Sequence, residues 1–215
     1  MPDVDDLADH MEFTILHVAV VMPSSECCLT DHMLRAHFRD IDARDRLGMT
    51  PLHWACRRGD VRCTRILLAY GAAVNLLDRL GDTAFQQCIS SGNMECLNMV
   101  LEAGAAVNAV NHLGRAALHD ALSAEVATIL INHGADVNLS DKFQETPLLQ
   151  HAVRDDVATV KLLLARGADV TIPNSLGETI WHRSIDYNQF EILAALIEHA
   201  PLSKVRACGT HIPTH

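Results

Sequence analysis

Apolar positions along the chain fall in short blocks with helical spacing. In the first clear block, Leu52, Ala55 and Cys56 stand at i, i+3 and i+4, so they share one helix face. Trp54 lies two residues from Leu52, roughly 200° around the same helix, and is expected to face solvent. A second block, Ile66-Leu67-Leu68, is followed by Gly71, placed as a glycine just beyond a helix C-terminus. The segment Asn75 to Leu80 then reads as a projecting turn. The order is helix, turn, helix, finger.

That order repeats. Thr83 lies 33 residues after Thr50, Ala116 another 33, Thr146 a further 30 and Thr179 a further 33. Upstream, Thr14-Ile15-Leu16-His17 lies 36 residues before Thr50-Pro51-Leu52-His53. A second marker keeps the rhythm, since Gly71-Ala72-Ala73-Val74-Asn75 recurs as Gly104 to Asn108, Gly134 to Asn138 and Gly167 to Thr171. These segments resemble the ankyrin repeat, a unit of about 33 residues with a T-P-L-H-x-A signature.

The resemblance implies an all-α fold, an ankyrin-repeat solenoid of helix-turn-helix units with projecting β-turn fingers. It runs over roughly residues 10–206 in six units: 10–43, 44–76, 77–109, 110–139, 140–172 and 173–206. An acidic segment, 1–9, precedes them and a tail, 207–215, follows. The first unit has three extra residues around Ser24 to Thr30, and the fourth is three short between Leu122 and Glu125. The last has Ala200-Pro201 in place of Gly-Ala.

Each marker has a physical reason. Thr50 precedes a proline in the first helical turn, where a missing N–H costs nothing, and its hydroxyl can satisfy free backbone donors. The resemblance implies that His53 braces the same turn, and His17, His119 and His182 match it. No unit can bury its own apolar face, so neighbours must stack. Leu52, Phe85, Leu118, Leu148 and Trp181 share one repeat position and are expected in the core. The acidic start and Ser203-Lys204-Val205-Arg206 are expected as end caps.

Composition agrees with packed helices. Apolar residues make up 49% and aromatics only 4%, so the core rests on Leu, Ile, Val and Ala. The N-terminus is acidic, unlike a secretory signal, and Ile15–Met22 is too short to span a bilayer. Seven cysteines include no C-x-x-C pair, and Cys63 and Cys96 are expected as small buried hydrophobes in a reducing compartment. The expected setting is cytoplasmic or nuclear.

Net charge is −10, yet residues 35–65 hold eight arginines against four acids. The remainder of the chain is therefore at −14, which argues against nucleic acid as the main ligand and leaves room for an acidic partner.

Catalytic signatures are absent. No G-x-x-x-x-G-K-[ST], G-x-G-x-x-G, G-x-S-x-G or H-E-x-x-H occurs, and no carboxylate pair is isolated. Cys27, Cys28, His32 and His37 lie close together, but adjacent cysteines chelate one tetrahedral ion poorly, and no metal is expected. Finger asparagines such as Asn138 match a hydroxylation pattern known in the resembled family, against which stands a turn-shaping role. The expectation is no enzyme, no cofactor and no membrane contact.

The resemblance implies partner binding through the finger tips and first helices. Successive tips read Arg46-Leu47, Arg79-Leu80, His112-Leu113, Lys142-Phe143 and Ser175-Leu176, a polar or basic row beside an apolar one. With Trp54, Arg57 and Arg58, the first four of these pairs form the candidate surface, suited to an acidic, partly apolar protein bound by a monomer. The expected role is a non-catalytic adaptor, inhibitor or targeting subunit. The alternatives are a substrate-recognition fragment of a ubiquitin-ligase adaptor and an inhibitor of a transcription factor. Leu16-His17-Val18-Ala19-Val20-Val21 resembles the start of the inhibitors of NF-κB-type factors.

Overall fold

A computed structural model describes residues 11–21 and 29–199. The acidic start, most of the first-unit insertion, both residues of the Cys27-Cys28 pair and the proposed C-terminal cap lie outside the described residues.

Eleven α-helices and two short 3-10 turns are described, with no strand beyond one isolated bridge between Leu77 and Thr83. The helices are α1 (Ile15–Val21), α2 (Asp31–Ala36), α3 (Pro51–Arg58), α4 (Val61–Ala69), α5 (Ala84–Ser91) and α6 (Met94–Glu102), followed by α7 (Ala124–Asn132), α8 (Pro147–Val153), α9 (Val157–Ala165), α10 (Ile180–Asp186) and α11 (Phe190–His199). The chain divides into two compact units, one ending at His112 and the other beginning at Leu113. In the first, α1 packs on α3, α3 on α5 and α4 on α6. In the second, α8 packs on α10, α9 on α7 and α9 on α11.

The repeat markers do what their chemistry demands. Thr50 Oγ1 accepts from His53 N at 3.4 Å, while the Thr50 N–H donates to His53 Nδ1 at 3.1 Å. Nδ1 is thus an acceptor, so the neutral ring carries its proton on Nε2, which faces the Asp82 carbonyl at 3.3 Å. His17 repeats this between Thr14 and the Met49 carbonyl, and His119 between Ala116 and the Glu145 carbonyl. His182 braces Thr179 in the same way. In the third repeat Gln86 takes the histidine's place, its Oε1 accepting from Thr83 N at 2.9 Å.

Second helices start on a capping side chain: Asp60, Asn93, Ser123 or Asp156, each accepting the N–H three residues on. They end at glycines with positive φ, such as Gly71 at 82°, where the Ala72 N–H returns to the Leu67 carbonyl. Leu52, Phe85, Leu118, Leu148 and Trp181 are all buried, as are Cys63 and Cys96. Asn75 and Asn138 staple neighbouring loops, accepting from Ala106 N and Asp169 N.

The shortened fourth repeat differs most. Its first helix is reduced to a single 3-10 turn, Ala117–Asp120, after which Ala121 is extended and Ser123 caps α7. Removing three residues leaves no room for the second α-turn that the other first helices possess.

Candidate interaction surface

The fingers are built on a buried acid. Asp45, Asp78 and Asp141 accept through Oδ1 from the N–H groups two and four residues on, at 2.8–2.9 Å. Asn174 does the same in the last finger. Each of these side chains thereby closes a tight turn, and Gly48, Gly81 and Gly177 supply the left-handed residue for Asp45, Asp78 and Asn174. At Gly81 a side chain is also sterically excluded, because a Cβ would stand 2.8 Å from His112 N. Gln144 occupies that conformation without being glycine, at φ 57°.

Successive fingers are joined by one backbone bond each. Within the first unit these run from Arg46 N to Met11 O, Arg79 N to Leu47 O, and His112 N to Leu80 O, at 2.8–2.9 Å. Within the second they run from Lys142 N to Leu113 O and Ser175 N to Phe143 O. The polar tip residue thus spends its backbone N–H on the preceding finger. Arg46, Arg79, His112 and Lys142 are exposed. Their apolar neighbours are exposed too: Leu47 by 42%, Leu80 by 67%, Leu113 by 47% and Phe143 by 52%. In the first unit the tips of Arg46-Leu47, Arg79-Leu80 and His112 thus form one connected row. Leu113, Lys142 and Phe143 belong to the second unit.

Trp54 corrects the sequence reading. It is half-buried rather than solvent-facing: its Nε1–H donates to Asp45 Oδ2 at 2.8 Å, and Phe13 packs edge-on at 5.7 Å. Gln87 and Gln150, at the same helical phase in their repeats, are only 7% and 6% exposed. Gln87 donates to Asp78 Oδ2 at 3.3 Å, and Gln150 to Glu145. Helical phase misplaced these residues because it describes an isolated helix. The finger folds back beside that face and presents a carboxylate oxygen that needs a donor. A signal was available in the sequence: Asp45 precedes Trp54, and Asp78 precedes Gln87, by nine residues. In the second unit Arg115 fills the corresponding place on Asp141, Nε to Oδ2 at 3.3 Å.

Arg57 lies over the Trp54 ring, 5.6 Å from its centroid, and so joins the Arg46-Leu47-Trp54 cluster. Arg58 is exposed at the end of α3. Local charge at this end is tilted by occupancy. Asp42 accepts from Ala73 N, Asp60 caps α4, and Asp45 is buried. Arg58, Arg62 and Arg79 have no ion-pair partner among the described residues. Asp42 and Asp60 thus hold backbone N–H groups, while Arg58, Arg62 and Arg79 are exposed.

Among the described residues no group of three potential metal ligands converges. His32 is exposed, and His37 lies 3.6 Å from Asp40.

A family model for ankyrin repeats matches three stretches, residues 16–111, 63–141 and 113–206. A putative ankyrin repeat protein of Fowlpox virus (strain NVSL) is 38% identical over 82 residues, 37% of this chain and 19% of that protein. One from Acanthamoeba polyphaga mimivirus is 38% identical over 79 residues, 34% of this chain and 49% of that protein. NF-kappa-B inhibitor alpha of Gallus gallus is 39% identical over 59 residues, 27% of this chain and 18% of that protein. The aligned stretches thus span less than half the length of each of these relatives.

Proposed function

Because this chain belongs to the ankyrin-repeat family, a non-enzymatic protein-interaction fold, we propose that it is an adaptor, inhibitor or targeting subunit that binds an acidic, partly apolar protein across Arg46, Leu47, Trp54, Arg57, Arg79, Leu80 and His112. The observation that carries this reading is the connected tip row of the first unit. There, exposed leucines alternate with exposed cations, and the local acids are engaged in the fold. Exposed apolar groups beside arginine are the composition of a protein-binding core and rim. Arginine at the rim steers an acidic partner and speeds encounter. Trp54 contributes as the support of Arg57 and of the Asp45 turn, not as a free anchor.

A cytoplasmic or nuclear setting fits Cys56, Cys63, Cys88 and Cys96, which are buried and in no disulfide. Similarity to a protein named as an inhibitor of NF-kappa-B favours, as a second reading, inhibition of a transcription factor.

The test is site-specific photocrosslinking in cells, with a benzophenone amino acid placed at Leu47 or Leu80 and, as a control, at Lys161 on α9. Leu47 and Leu80 should give the same discrete adduct, and Arg46→Glu should weaken it. Adducts formed equally well from Lys161, or untouched by Arg46→Glu, would place the partner elsewhere.

A further inference from the structure

The last repeat breaks the capping rule of the others, and a cleft opens where it does. Gln189 stands where Asp60, Asn93, Ser123 and Asp156 cap their second helices. Its longer side chain reaches away from α11, and Nε2 donates to the Ala152 carbonyl at the end of α8, at 2.5 Å. That leaves Gln189 Oε1 buried with no hydrogen-bond partner. Such an acceptor is costly to leave unmet.

Beside it lies a cavity of about 120 Å³, lined by Ala152, Val153, Arg183, Tyr187 and Gln189. The volume is of the order of the roughly 150 Å³ apolar cavities that take up a benzene-sized guest. Its two apolar walls are offered to solvent, Val153 being 53% and Tyr187 73% exposed. Arg183 gives it no positive charge, because Glu145 at 2.7 Å and Glu178 at 3.5 Å neutralise the guanidinium. Arg154 is likewise paired, with Asp120 at 2.7 Å. Asp155 and Asp186, each within two residues of a wall residue, are exposed and have no ion pair among the described residues. Two exposed carboxylates therefore flank the apolar walls in the chain, with the nearby cations Arg154 and Arg183 neutralised.

We propose that this cleft is a second docking site, which takes one aliphatic side chain of a basic peptide segment. The surface between Val153 and Tyr187 thus selects a ligand opposite in charge to the one that suits the first unit, and it stands whether or not the finger reading holds.

The probe is acetyl-Lys-Leu-Lys-amide, titrated into the isotope-labelled full chain and followed by amide and methyl NMR. Saturable shifts should appear at Val153, Tyr187 and the Gln189 side-chain amide. Acetyl-Lys-Ala-Lys-amide should bind about tenfold more weakly, having lost most of the buried aliphatic group. Acetyl-Glu-Leu-Glu-amide should not shift these signals. Tyr187→Ser, at an exposed position that leaves the fold intact, should abolish the effect. Equal binding of the leucine and alanine peptides would mean attraction to Asp155 and Asp186 alone, and would overturn the proposal. So would no saturation by ~10 mM, or shifts that survive Tyr187→Ser.

Discussion

At the scale of single residues, the position of Trp54 shows how one hydrogen-bond role is met by different chemistry. An indole N–H and an amide N–H both reach the second oxygen of a finger aspartate. Trp54→Ala should therefore destabilise the fold by about 1–3 kcal/mol, because Asp45 Oδ2 is left buried and unmet. Trp54→Gln, which copies Gln87, should recover most of that loss in urea unfolding. If the glutamine variant is folded as stably as the parent yet binds partner as weakly as the alanine one, the ring itself is part of the contact. If glutamine restores both, the ring is structural only. Repeat register was legible in the recurrence of the threonine and glycine markers, and the helix caps and the core row from Leu52 to Trp181 in residues three or four apart. The partner of Trp54 was not, because it depends on how a finger folds back against a helix.

At the scale of the element, the histidine braces tie helix starts to the neighbouring repeat, and they make stability depend on pH. Burial holds the imidazoles of His17, His53, His119 and His151 below their ordinary value of 6.5, against the pull of backbone hydrogen bonds toward protonation. His151, which lies outside the Thr-x-x-His pattern, pairs with the Leu118 carbonyl and Asp156, a role the repeat alignment did not reveal. The unfolded chain binds these protons more readily than the folded one. Stability should then be fully present above 6.5 and should fall as pH drops below it toward the folded-state values. His53→Gln copies the brace that Gln86 already forms, and should reduce the slope of stability against pH by about one proton below 6.5. Denaturant midpoints measured from pH ~5 to 8 would decide it, and a slope unchanged by His53→Gln would mean that His53 titrates alike in both states. The same neighbour-dependence explains the last helices. Ile185 occupies the position of buried Cys56, Ile89 and Ala152, but is 61% exposed. Local sequence assigns an apolar residue to that position, and exposure there is set by what packs against it.

At the scale of the whole molecule, the two units differ in charge as well as in repeat regularity. Residues 29–112 carry nine cations and nine acids, whereas residues 113–199 carry six and twelve. Net charge alone concealed this division, since the sum of −10 describes neither unit. The six-unit rhythm read from the sequence likewise gave no sign that contacts cluster into two bodies, because identical markers recur on both sides of His112. In a repeat protein, stability is a sum of local units and nearest-neighbour terms, so a lesion in one unit need not be shared equally by the other. The lesion to use is Leu118→Ala, in the 3-10 turn of the shortened repeat, where a buried side chain has the least helix to hold its surroundings. The cavity should cost about 2–5 kcal/mol. The chain's two tryptophans, Trp54 and Trp181, fall one in each unit and report on them separately. With Trp181→Phe the fluorescence follows the first unit, and with Trp54→Gln it follows the second. Leu118→Ala should lower the Trp181 midpoint in urea, read with Trp54→Gln, substantially, and the Trp54 midpoint, read with Trp181→Phe, much less. Midpoints that fall by the same amount, with coincident curves, would show the chain unfolding as one cooperative body despite its two clusters of contacts.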